Sequence, residues 1–99
     1  MSMKRLIETA EGKSEYSEFK KMKLKGSDFG HAELMSAAMD GANMTGATFR
    51  RTKLMNANFE GAYLERSDFT DADLTKADFS QALNLDKAIM PKGYKLVKE

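Results

Sequence analysis

The stretch Ala57-Asn58-Phe59-Glu60-Gly61, Ala62-Tyr63-Leu64-Glu65-Arg66, Ser67-Asp68-Phe69-Thr70-Asp71, Ala72-Asp73-Leu74-Thr75-Lys76, Ala77-Asp78-Phe79-Ser80-Gln81 decides the fold. Each block of five has a large apolar residue at its centre and a small residue two places earlier. Upstream the same series continues through Leu54, Phe49, Met44, Met39, Leu34, Phe29 and Leu24 to Phe19, so thirteen consecutive blocks carry it. The small slot holds Ser17, Ser27, Ala32, Ala37, Ala42, Ala47 and Thr52 before the quoted stretch, with Met22 its single large occupant. A period of five fits neither the 3.6 of a helix nor the 2 of a flat strand. It describes a chain that turns a corner every five residues and coils around its own apolar column.

The number of blocks per coil follows from which residues stack. Rungs of a coil lie about 4.8 Å apart and pack evenly when like lies on like. At a separation of 20 the central residues match in five of nine pairs, Phe29/Phe49 and Leu34/Leu54 among them. At a separation of 15 none of ten pairs matches. The outer positions agree. Lys20/Asp40, Glu33/Lys53, Lys53/Asp73, Arg51/Asp71 and Arg66/Asp86 are attractive at 20, against one repulsive pair, Asp40/Glu60. At 15 the attractive and repulsive pairs are equal in number. Such cross-strand pairs contribute about 0.2–1 kcal/mol each and select register more than they supply stability. The prediction is a four-sided coil, with phenylalanine on two opposite sides and leucine and methionine on the others. Gly26, Gly41, Gly46 and Gly61 fall at the corners, where a positive φ is required.

These fragments, AELMS, ANMTG, ANFEG, ADLTK and ADFSQ, resemble the pentapeptide-repeat family, whose consensus is A(D/N)LXX. The resemblance spans residues 17–86 and implies an all-β fold: a right-handed quadrilateral β-helix of about 3.5 coils. The family's biochemical roles are diverse, so the resemblance speaks to shape more than to chemistry. Asn84 stands where Phe or Leu belongs, which predicts the end of the coil at residue 86. A short helical cap is expected within residues 1–16, with Leu6 and Ile7 over the open end and Met22 plugging it. Residues 87–99 are expected to form a C-terminal cap, where Pro91-Lys92-Gly93 marks a turn between two apolar pieces. Ile89, Met90, Tyr94 and Leu96 are its contact residues. They suit either a capping hairpin or a homodimer contact, since some family members join through this end.

Composition narrows the function. The 99 residues carry a net charge of +1 with 31% charged residues, so the chain is neither a polyanion nor a basic nucleic-acid binder. Without cysteine, disulfides, thiolate metal sites and cysteine nucleophiles are excluded. No apolar run reaches the length of a signal peptide or membrane span, and a cytoplasmic protein is expected. His31, the single histidine, heads the column His31, Arg51, Asp71 at a corner and reads as an inert surface imidazole. Asp68, Asp71, Asp73 and Asp78 lack the glycine-bearing loop and closing glutamate of a calcium site and read as solvated consensus aspartates. No nucleophile–base pair, phosphate loop or metal quartet is present, and a filled core leaves no interior pocket. No enzymatic activity and no cofactor are expected.

Some relatives bind DNA gyrase, and the resemblance therefore implies an alternative role as a topoisomerase modulator through DNA mimicry. Duplex DNA carries one charge per ~1.7 Å, so a mimic about 17 Å long needs roughly ten net negatives. Residues 17–86 hold eleven acidic and nine basic side chains, a net of −2. Mimicry is disfavoured on that ground. The charge is uneven: residues 17–56 net +3, residues 57–86 net −5. The lysines of the tail lack an aromatic platform, so nucleic acid is not an expected partner. Met35 and Met55 stack at an outward position in the register of four blocks per coil, and Tyr63 projects from the opposite side. These three are the candidate contacts of a rigid protein-interaction or adaptor module with an unidentified protein partner.

Overall fold

The computed structural model describes residues 18–94. Parallel bridges join positions one coil apart down the chain, from Glu18 with Ala38 and Lys23 with Asn43 to Asn58 with Asp78 and Tyr63 with Leu83. Four blocks therefore make one coil. Each side contributes a single bridging residue, and the corner follows at once. The Met22 N–H donates to the Phe19 carbonyl (3.2 Å), and the same bond recurs once per block down to Ala82 N–H and the Phe79 carbonyl (3.0 Å). The residue before each of these donors is left-handed, from Lys21 (φ 56°) through Gly26 (72°) and His31 (64°) to Gln81 (58°). This is the geometry of a type II turn, in which the third residue requires φ > 0. Glycine meets the requirement without strain, and at Gly41 it also makes room: a Cβ there would stand 3.2 Å from Lys21 Cγ.

The apolar column lies inside. Phe29, Phe49 and Phe69 stack with ring centroids 4.9 and 4.7 Å apart and planes within 4° of parallel. Phe59 and Phe79 stack on the opposite side at 5.0 Å. The two columns meet edge to face across the interior, Phe49 with Phe59 at 5.6 Å and Phe59 with Phe69 at 5.7 Å. Both arrangements satisfy the ring quadrupole, and alanine in the small slot leaves the width for the rings to meet. Thr52 and Ser67 take that slot in two blocks. Fully buried, their hydroxyls donate to the Phe29 and Met44 carbonyls one coil above, both at 2.8 Å, so neither polar group is orphaned.

The coil does not stop at residue 86. Asn84 is left-handed (φ 61°) and exposed, and the 3₁₀ turn Leu85–Lys87 follows. Leu85 packs against the core in its place. The next bridge joins Asp68 to Ile89, one position beyond the regular step, and Met90 packs inward below Phe69. One extra residue is thus absorbed and the coil resumes, because shifting by one returns a leucine to the interior. No hairpin forms among the described residues. The Pro91–Tyr94 segment is a turn closed by the Tyr94 N–H on the Pro91 carbonyl (3.0 Å), with Gly93 at φ 84°. Tyr94 sets its ring edge-on to Phe79 at 6.3 Å. Met22 is 42% exposed and does not seal the upper end. The expected helix within residues 1–16 and the contact at Leu96 lie outside the described residues.

Candidate interaction surface

The outward residues are set by the turn chemistry. In the consensus slot the side-chain oxygen of Asp or Asn accepts the N–H two residues ahead: Asp28 from Gly30 (2.8 Å), Asn58 from Glu60 (2.9 Å), Asp78 from Ser80 (2.8 Å). Asn43 and Asp73 accept from both the N–H and the hydroxyl of the threonine at that place, as does Asp68. These N–H groups have no rung of their own, so the carboxylates are turn acceptors rather than merely solvated charges. At Asp68 partial burial works against the charge, yet the Thr70 hydroxyl and N–H and the Arg50 guanidinium outweigh it and hold the carboxyl below its usual range. The Thr75 hydroxyl and N–H, aided by Lys53, do the same at Asp73, and Ser80 does so at Asp78. Asp71 instead occupies a left-handed corner below Arg51, 4.0 Å from its Nε. Among the described residues no group of His, Asp and Glu is arranged to hold a metal ion.

Of the charge pairs expected between neighbouring coils, Arg51 with Asp71 forms an ion pair. Arg66 loses Asp86 to the register shift and stands 3.8 Å from Glu65. Arg50 pairs with Asp68 at 3.2 Å, a partner outside its own column that the stacking count missed because a corner brings adjoining columns together.

Met35 and Met55 do stack in register, with the Ser36 N–H on the Met55 carbonyl at 2.9 Å. Both are half-buried, not the exposed pair expected. Rungs about 4.8 Å apart let neighbouring long side chains shield one another. Tyr63 is 47% exposed, as its outward slot predicts. It bridges Leu83, which is 43% exposed, and Ile89 at 55% follows on the adjoining side of the same lower coil. Met90 and Tyr94 turn toward the core. Leu83 escaped sequence reasoning although it was findable: it fills the slot reserved for Asp or Asn, one coil after Tyr63. Ile89 could not be placed without the extra residue before it.

A coil of short parallel rungs with a closed aromatic interior and functional potential confined to its outer sides defines a solenoid repeat protein. The family model for the pentapeptide repeat region matches residues 14–88, and the chain belongs to the pentapeptide repeat family, whose fold is a right-handed β-helix. It is similar to a solved pentapeptide repeat protein from the Arabidopsis thaliana thylakoid lumen, with 31% identity and a TM-score of 0.74 over 78% of this chain and 52% of that one. A pentapeptide repeat protein from the cyanobacterium Cyanothece (Rfr23) shares the fold, with a TM-score of 0.63 and 21% identity over 76% and 54% of the two chains. The chain spans about half the length of these solved structures. No curated protein matches the sequence. Among the described residues no helix is long and apolar enough to cross a membrane.

Proposed function

We propose that this protein is a non-catalytic interaction module that presents a rigid side of its coil to a protein partner. The observation that carries this reading is the exposed apolar column Tyr63–Leu83 with Ile89 beside it, on a lower half whose residues 57–86 carry a net charge of −5. Large apolar side chains adjacent on a flat, hydrogen-bonded rung lose little conformational freedom on docking, which lowers the cost of association. Glu60, Glu65, Asp68 and Asp78 surround them in sequence register, so the partner that fits is a protein surface with an apolar centre and a basic rim. Met35 and Met55 are secondary contacts on the opposite side.

The test is affinity capture from native lysate with the wild-type chain beside a Tyr63→Ser/Leu83→Ser variant. The expected result is a partner held by the wild type, lost from the variant, and weakened as salt rises and screens its charged rim. A partner retained by the variant, or an identical background with both, overturns the assignment of this surface.

A further inference from the structure

The side of the coil that carries Met35 and Met55 repeats one pattern on two successive rungs. Glu33 bridges Lys53, the Leu34 N–H donates to the Lys53 carbonyl at 2.8 Å, and the Ser36 N–H donates to the Met55 carbonyl at 2.9 Å. The two rungs are therefore in strict register. Glu33 and Lys53 are exposed, and Met35 and Met55 are half-buried beside them. Ser36 and Asn56 are exposed at the corner that follows, both left-handed (φ 60° and 61°). Each rung thus presents a charge, a thioether and a small polar group in the same order, and the charge alone changes sign.

We infer that this side pairs with the same side of a second copy of the chain, the two rods lying antiparallel. Rods laid side on side with their axes reversed are related by a half-turn that inverts the order of the rungs and keeps each column opposite itself. With that axis midway between the two rungs, Glu33 of each copy faces Lys53 of the other, Met35 faces Met55, and Ser36 faces Asn56. An isologous contact demands this reciprocity, residue i on j and j on i. The methionines of both copies form its apolar centre, where flexible thioethers adapt to one another, and opposite charges flank them. One rung lower the half-turn sets Met55 on Thr75, and it sets Lys53 on Asp73, whose carboxylate already accepts the Thr75 N–H and hydroxyl. The upper register is the better match. On the side of Tyr63 and Leu83 a half-turn brings together two lower halves of net charge −5, so that surface suits a basic partner and not a copy of itself. On the side of Arg51 and Asp71 the opposite charges are already paired within one coil at 4.0 Å. Rungs about 4.8 Å apart make the matched area far smaller than the ~1,600 Å² of a standard interface. The dimer is therefore weak, forms at high concentration and loosens as salt screens its charges. It names a second copy as the partner of the secondary contacts and is independent of the partner proposed for Tyr63 and Leu83.

Sedimentation equilibrium of the full chain from about 10 µM to about 1 mM tests this. The wild type is expected to dimerise across that range. Glu33→Lys or Lys53→Glu alone sets like charges opposite each other twice per contact and is expected to weaken the dimer at least about tenfold. An equimolar mixture of the two single variants restores opposite charges across the contact but not within either coil, and is expected to dimerise within about threefold of the wild type. The double exchange Glu33→Lys/Lys53→Glu keeps opposite charges both within and between coils and is expected to match the wild type, even where the single variants lose stability. A Tyr63→Ser/Leu83→Ser variant is expected to keep the dimer, so loss of a captured partner and loss of self-association are read separately. A wild type that stays monomeric to about 1 mM overturns the inference. So does a dimer that either single variant leaves intact, because its contact then lies elsewhere. A mixture no better than its components overturns it too, because the pairing is then not reciprocal.

Discussion

At the scale of the residue, the consensus Asp or Asn serves the turn before it serves the surface. Asp78 accepts from the Ser80 hydroxyl and N–H, and its carboxyl sits below the usual range because those bonds favour the charged form. A group whose folded value is depressed contributes stability that is present above the unfolded value and lost as pH falls through the folded one. Asp68 and Asp73 behave alike. The melting temperature is therefore expected to be level from about pH 7 to 5 and to fall below about pH 4, where free aspartate titrates. Asn retains the accepting oxygen without the charge. An Asp78→Asn variant is expected to keep the turn, to lie slightly below the wild type at neutral pH, and to converge with it in strong acid. Thermal melts across that range check this, and a gap that widens in acid contradicts it.

At the scale of the element, the stability of a rung rests on its ring stack. Phe49 lies parallel between Phe29 and Phe69 and edge-on to Phe59, fully buried. Phe49→Ala is expected to cost about 3–5 kcal/mol, the sum of lost transfer energy and an unfilled cavity, measured by urea unfolding. A cost near ~1 kcal/mol shows instead that the coil closes over the gap. This stack was legible before any coordinates, because four blocks per coil set phenylalanine on phenylalanine down both columns and three do not. The corners were legible from the register, at Gly26, Gly41, Gly46 and Gly61 by residue type and at His31, Arg51 and Asp71 by the column they share, and all of them are left-handed. The path beyond Asn84 was not legible. A break in the repeat reads as a terminus, and the exchange of Asn84 for Leu85 shows only once the interior has a shape that one of them must fill. The surface fared in proportion. Tyr63 follows from its slot, whereas the half-burial of Met35 and Met55 depends on how their long side chains lie against their neighbours, which the slot alone does not set.

At the scale of the whole molecule, every rung bonds only to the rungs above and below, so stability is a sum of neighbouring interfaces. Amides in the middle coil, such as Met39, Met44 and Phe49, are each tied to a coil that is itself covered below. They are expected to exchange with the free energy of global unfolding, and amides of the outermost rungs with that of local opening. Uniform protection along the axis contradicts a nearest-neighbour solenoid. The extra residue absorbed at Leu85–Lys87 bears on a different hazard. A coil of constant step is a periodic lattice in one dimension, and the floor of one copy is a seed for the ceiling of the next. Here the step is constant down to Leu83 and longer by one at Ile89, so an incoming copy would meet corners and inward slots out of phase on the final described sides. A molecule built this way stacks evenly inside itself, while its last described rung no longer keeps the step that a fibre would need.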